Sequence, residues 1–162
     1  MYSACVERRL RAAVLAVAVI VFAACGGEPP SAEQRVHGAI DGLAQAVEAA
    51  SIRQAAEFLD PQYRDDRHPN KAAAMRSLFA YMRQHRDIHL FTLIKTVELA
   101  PDGRAANVVV YVAMTGIPVD SVQTLISLNA DLYRFDVDLL PAADGQWRVT
   151  HAQWRRADLT VL

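Results

Sequence analysis

Apolar residues recur along this chain in three rhythms, and each predicts a different element. Ala12–Ala24 is apolar at all thirteen positions. Val36, Ile40, Leu43, Val47 and Ala50 then fall at spacings of 4, 3, 4 and 3, one stripe of an amphipathic helix. Ser31 suits its N-cap, with Gln34 three residues on as the capping-box partner. A second, shorter helix fits Ile52–Leu59, burying Ala55, Phe58 and Leu59. Asp60-Pro61 stops it, because the residue before a proline is pushed out of the helical region. Residues 60–70, "DPQYRDDRHPN", are polar and bounded by prolines and read as a loop. A third helix fits Lys71–Gln84, with Ala74, Met75, Leu78, Phe79 and Met82 on one face.

From Ile88 the period is two. Ile88–Leu99 reads as a strand, Asp102-Gly103 as a two-residue hairpin turn, and Ala105–Thr115 as the return strand. The return strand is largely apolar on both faces, which predicts an interior place in a sheet. Residues 116–130 admit either a helical turn or two, through Val122, Leu125, Ile126 and Asn129, or a strand extension. Asp131–Leu140 alternates cleanly, and Asp144-Gly145 turns it into Gln146–Arg155. Counting outward from the first turn pairs Leu99 with Ala106, Val97 with Val108, Lys95 with Val110, Leu93 with Val112 and Phe91 with Met114. From the second turn the pairs are Leu139 with Thr150, Asp138 with His151, Val137 with Ala152, Asp136 with Gln153, Phe135 with Trp154 and Arg134 with Arg155. Trp147 falls on the polar face, which makes a bulge an open alternative there.

Helices first and an antiparallel meander after them predict an α+β domain, its N-terminal helices packed on one face of the sheet. That order, ending in "GQWRVTHAQWR", resembles the nuclear-transport-factor-2-like (NTF2-like) fold, also called SnoaL-like or cystatin-like, over about residues 33–158. The resemblance implies a curved, cone-like sheet wrapped on helices with a pocket at its open end. It implies no single activity, since isomerases, dehydratases, epoxide hydrolases and carriers share the fold.

The thirteen apolar residues at the N-terminus are too few to cross a hydrocarbon core, which takes roughly 20. After the net positive Glu7-Arg8-Arg9-Leu10-Arg11 they read as a secretory signal. Phe22-Ala23-Ala24-Cys25 is similar to the lipobox of bacterial lipoproteins, with phenylalanine where leucine is usual. The resemblance implies cleavage between Ala24 and Cys25 and acylation of Cys25. The expected organisation is a signal peptide over 1–24, a lipidated cysteine and tether over 25–32, and one α+β domain over 33–162. The mature chain would carry 138 residues and a net charge of −3, with no disulfide. Gly26 in place of aspartate favours the outer membrane on the same family rule, with the domain facing the periplasm.

The full chain carries 17 basic and 18 acidic residues, without the clustered basic surface that nucleic acid needs. No zinc-type ligand spacing, nucleophile elbow or phosphate loop occurs, so neither a metal nor a cofactor is expected. Asp138 and His151 form either a general base with its orienter or a plain cross-strand pair on an exposed face, and the plain pair is favoured. Lys95 is odd on an apolar face and reads as a snorkelling edge residue ahead of a pocket base. Tyr63, Lys95, Tyr133, His151 and Trp154 are the candidates for a pocket. The favoured function is non-catalytic binding of a small apolar ligand or an envelope protein, with a homodimer through the sheet as a further expectation. A small dehydratase or isomerase using His, Asp or Lys, and a structural lipoprotein with a closed pocket, are the alternatives.

Overall fold

The computed structural model describes residues 29–85, 87–128 and 130–162. The expected signal over 1–24, Cys25 and the first half of the expected tether lie outside the described residues; of its second half, 29–32, Ser31 and Ala32 cap and begin the first helix. Ser31–Leu162 form one compact unit. Its elements are α1 (Ala32–Glu48), α2 (Ile52–Glu57), β1 (Leu59–Asp65), α3 (Lys71–Gln84), β2 (His89–Leu99), β3 (Ala106–Thr115), α4 (Val122–Ser127), β4 (Leu132–Pro141) and β5 (Trp147–Ala157), closed by a 3₁₀ turn at Leu159–Val161.

The capping box forms as expected: the Ser31 hydroxyl accepts from the Gln34 N–H, and the Gln34 side chain accepts from the Ser31 N–H. Its stripe buries Val36, Ile40 and Val47. Gly42 lets the Phe58 ring lie against α1, since a Cβ there would stand 2.4 Å from that ring. The third helix occupies Lys71–Gln84 with Asn70 as its cap, but Phe79 is 48% exposed and leaves the predicted apolar face to Ala74, Met75, Leu78 and Met82. Residues 116–130 resolve in favour of the helical turn, α4, with Leu125 fully buried; Asn129 lies outside the described residues.

The five strands run β1-β5-β4-β3-β2 in one sheet, which is curved and does not close. The sheet is mixed, not wholly antiparallel, because Leu59–Asp65 is a strand: the second helix stops at Glu57 and not at the expected Leu59, and 60–65 is not the expected loop. β1 pairs parallel to β5, and its register shifts between Leu59 and Arg64. Pro61 lies inside that shift, on an edge strand, where a missing N–H is tolerated. Leu59 and Tyr63 are buried while Pro61 between them is exposed, so the register shift leaves this strand without a simple period-2 pattern.

Two bulges decide which residues face the core. In β2, Ile94 pairs with Val110 and Thr96 with Val109, leaving Lys95 as the extra residue. Beyond it the register slips by one, so Leu93 meets Tyr111 and Phe91 meets Ala113. Leu90 and Thr92 therefore turn inward, and Phe91 and Leu93 pack on the opposite face with Tyr111, Ala113 and Leu125. In β5, His151 still pairs with Asp138 as counted, but Leu139 meets Val149, not Thr150. Thr150 is the bulged residue, and its hydroxyl donates to the Asp138 carbonyl at 3.2 Å. The slip swings Val149 and Trp147 into the core, where Trp147 is 1% exposed. Bulges of this kind also increase local bend and twist.

The main core joins α1, β1 and α3 to the inward faces of β3, β4 and β5, with Val36, Val108, Leu139 and Trp147 at most 1% exposed. Replacing Leu139 with Ala is expected to cost about 2–5 kcal/mol. Lys95→Ala, at an exposed bulge, is expected to stay within about 0.5 kcal/mol. Urea denaturation of both variants checks this, and equal losses would place Lys95 in the core.

Candidate functional site

A cavity of about 280 Å³ opens between the helices and the inward face of the sheet. Its walls are apolar: Leu43 and Val47 from α1, Met75 and Leu78 from α3, Val110 and Val112 from β3, Phe135 from β4 and Trp154 from β5. Its polar lining consists of Thr92 from β2 and, gathered where β1 runs into the loop before α3, Tyr63, Asp65, His68 and Ser77.

Asp65 organises this end. Its side chain is 1% exposed, and it accepts from four donors. The Tyr63 hydroxyl reaches Oδ2 at 2.8 Å, and the N–H groups of Arg67 and His68 reach Oδ1 at 2.8 and 2.7 Å. His68 Nδ1 lies 2.9 Å from Oδ2 and 3.0 Å from Oδ1. The two backbone donors form an Asx-type turn, which aspartate favours because its short side chain folds back on its own chain. Asp65 therefore both ends β1 and starts the loop that returns His68 to the cavity. The other ring nitrogen of His68, Nε2, lies 2.9 Å from the Ser77 hydroxyl on α3. A protonated Nδ1 on Asp65 leaves Nε2 as an acceptor from Ser77 in the neutral ring.

Burial pushes the Asp65 carboxyl up, but the hydrogen bonds from His68, Tyr63 and the two N–H groups outweigh it and hold it below its ordinary range. The Tyr63 hydroxyl is pushed far upward by burial, then by its hydrogen bond to Asp65 and the charge of Asp65. At neutral pH the cluster thus holds one carboxylate and one protonated phenol. Trp154 forms the adjoining wall: its ring stacks on Phe135 at 5.7 Å and on His68 at 6.3 Å, and the Arg67 guanidinium lies 5.0 Å above it.

Of the five candidates from the sequence, Tyr63 and Trp154 line this cavity. Tyr133 is half-buried on the cavity face of β4, next to Phe135 in that face's alternation, and its hydroxyl contributes to raising the Tyr81 phenol after burial does. Lys95 stands outside, exposed at the β2 bulge. His151 points to the other face of the sheet, 3.6 Å from Asp138, whose carboxylate also accepts from Asn107 at 2.6 Å. His85 ends α3, stacking on Tyr81 with its Nδ1 3.0 Å from the Tyr81 carbonyl. Among the described residues no three His, Cys, Asp or Glu side chains gather as a metal site. Asp65, His68 and Ser77 are not among the five sequence candidates, because the polar, proline-bounded stretch holding the first two reads as a loop. The Asp-x-x-His spacing of Asp65 and His68 was the available signal.

No protein-family model and no curated protein matches the chain. Many solved structures share its fold. A provisionally named scytalone dehydratase from Novosphingobium aromaticivorans is 11% identical with a TM-score of 0.60, covering 78% of this chain and 84% of that one. An NTF2-like protein of unknown function from Silicibacter pomeroyi is 11% identical with a TM-score of 0.56, covering 76% and 93%. A ketosteroid isomerase-like protein from Erwinia carotovora atroseptica is 13% identical with a TM-score of 0.53, covering 75% and 93%. The fold is therefore the NTF2-like cone. At these identities the likeness concerns architecture alone.

The cluster predicts a distinct pH response. A carboxyl held low by folding stabilises the folded state above its unfolded pKa, about 4, and that stability is lost as pH falls through the folded value. The buried phenol acts in reverse: its contribution is full below about pH 10 and is lost as pH rises further. Asp65→Asn should be less stable than the parent at pH 7 by about 1–3 kcal/mol and should lose part of the parent's acid sensitivity. Urea midpoints between pH 3 and 8 test it, and parallel curves for the two proteins would rule the carboxylate out as a stabilising group.

Proposed function

We propose that this chain is an envelope lipoprotein whose NTF2-like domain binds a small, largely apolar ligand in the cavity, with the ligand's polar group on the His68–Ser77 side. The supporting observation is the cavity itself. It is open, apolar over most of its wall, and carries one compact polar cluster, the pattern of small-molecule sites generally. A structural role with a closed pocket would want this space filled by the protein's own side chains. Tyr63, Asp65, His68 and Ser77 bond to one another, so the cluster is satisfied without a ligand and costs little when empty. A flat ligand would lie against Trp154 and Phe135, whose stacked rings form one wall.

One arrangement favours the enzymatic alternative. Buried Asp65 orients His68 as a carboxylate orients a general base, and Nε2 would reach a ligand once Ser77 gave up its contact. On that reading Asp65 and His68 move a proton on a bound hydroxyl or carbonyl compound, as in a dehydration or isomerisation.

Filling the cavity separates binding from folding. Val112→Trp on the β3 wall should weaken binding of an apolar naphthalene-sulfonate dye by about tenfold or more, read as dye fluorescence, while the circular dichroism stays native. His68→Ala should leave dye binding nearly unchanged, because the dye rests on the apolar walls. Unaltered dye binding in Val112→Trp would exclude the cavity as the site.

The anchor has its own test. Cys25→Ser should move the protein from the membrane pellet to the soluble fraction and abolish incorporation of labelled palmitate. A mature N-terminus elsewhere than Cys25, without acyl mass, would contradict lipidation.

A further inference from the structure

The side chain of Trp147 carries a second, separate signal. It is 1% exposed, and its indole Nε1 has no hydrogen-bond partner among the described residues. A buried N–H left unpaired costs about 1–3 kcal/mol, so such a donor calls for an acceptor. Trp147 does not line the main cavity. It lines a smaller one of about 160 Å³ between α1 and the β4–β5 turn, together with Arg35, Gly38, Ala39, Phe58, Gly145 and Gln146.

The lining has one chemical bias. It contains a guanidinium, a carboxamide and the indole, and no acidic side chain. Arg35 makes no ion pair among the described residues, and neither its guanidinium nor the Gln146 carboxamide has a partner among the hydrogen bonds of those residues. Arg35 and Gly38 stand three apart on α1 and so share a face. A Cβ added at Gly38 or Gly145 would meet nothing within 4 Å, so the space is open at both residues. Gly145 also sits at φ +79, the conformation its turn requires. The nearby Asp144 carboxylate is already taken, by the Arg148 guanidinium and by the Gln146 N–H.

We propose that this pocket is a second binding site, which takes a small carboxylate-bearing group. A small turn of the buried indole toward the pocket brings its N–H to one carboxylate oxygen, and the Arg35 guanidinium supplies the charge, with the Gln146 amide as a further donor. The volume corresponds to about five waters at roughly 30 Å³ each, room for a carboxylate and a few attached atoms. The site is independent of the main cavity and of any reaction there.

Nuclear magnetic resonance of the indole N–H groups tests it, on the protein as isolated and held in detergent. The chain has two tryptophans, Trp147 and Trp154, so the second is an internal control. Trp147→Phe assigns the two signals. Sodium acetate, titrated against sodium chloride at matched ionic strength, should shift the Trp147 signal saturably and leave the Trp154 signal in place. Acetamide, the neutral isostere, should produce no saturable shift. Arg35→Gln, at an exposed position, should keep the ligand-free Trp147 signal and bind acetate at least about tenfold more weakly. No saturable acetate shift, an equal response to acetamide, or unchanged affinity in Arg35→Gln would each overturn the proposal.

Discussion

A single buried carboxylate holds the candidate site together. Asp65 sits at the end of β1 with its side chain almost wholly out of solvent, a position that a charge tolerates only when fully hydrogen-bonded. Its four donors come from the strand before it, the loop after it and the ring of His68. Through His68 and Ser77 the network reaches α3, so strand, loop and helix are fixed relative to one another around one charge. Remove that charge, and the polar end of the cavity has nothing to hold its shape. The apolar walls, by contrast, belong to the main core and would persist.

Much of the architecture was legible because it rests on local rules. The capping box at Ser31 and Gln34, the bounds of α3 and the turns at Asp102-Gly103 and Asp144-Gly145 follow from short-range chemistry. The pairing of β4 with β5 was countable from Asp138 and His151 outward to Arg134 and Arg155, while the bulge at Thr150 shifts the pairs nearer the turn. What failed were features set by tertiary packing. The β2 bulge at Lys95 obeys no local signal, and it reverses the facing of every residue from Leu90 to Ile94. The edge strand β1 was concealed by Pro61 and by charged residues on its outer side, and an edge position excuses both.

The site was harder to see than the fold for the same reason. Tyr63 and Trp154 were visible as aromatic residues, and both line the cavity. Lys95 and His151 looked reactive in sequence, and the sheet places them away from it. Asp65 and His68 gain their meaning from burial, and Ser77 from the angle at which α3 crosses the cavity. Neither property is written in a residue type. The cone therefore supplies the space, its bulges choose the lining, and a network closed on itself supplies the polar end. The same network orients His68, which keeps ligand binding and proton transfer as two uses of one geometry.

The most direct measurement is a crystal structure of the protein purified from its native source under mild conditions, with whatever it carries. The account predicts density for a compact, mainly apolar molecule between Trp154, Phe135 and the α3 face of Leu78 and Met75, with a polar atom within hydrogen-bond distance of His68 or Ser77. A cavity collapsed onto its own side chains, with the space between Leu43, Val112 and Phe135 filled, would contradict it.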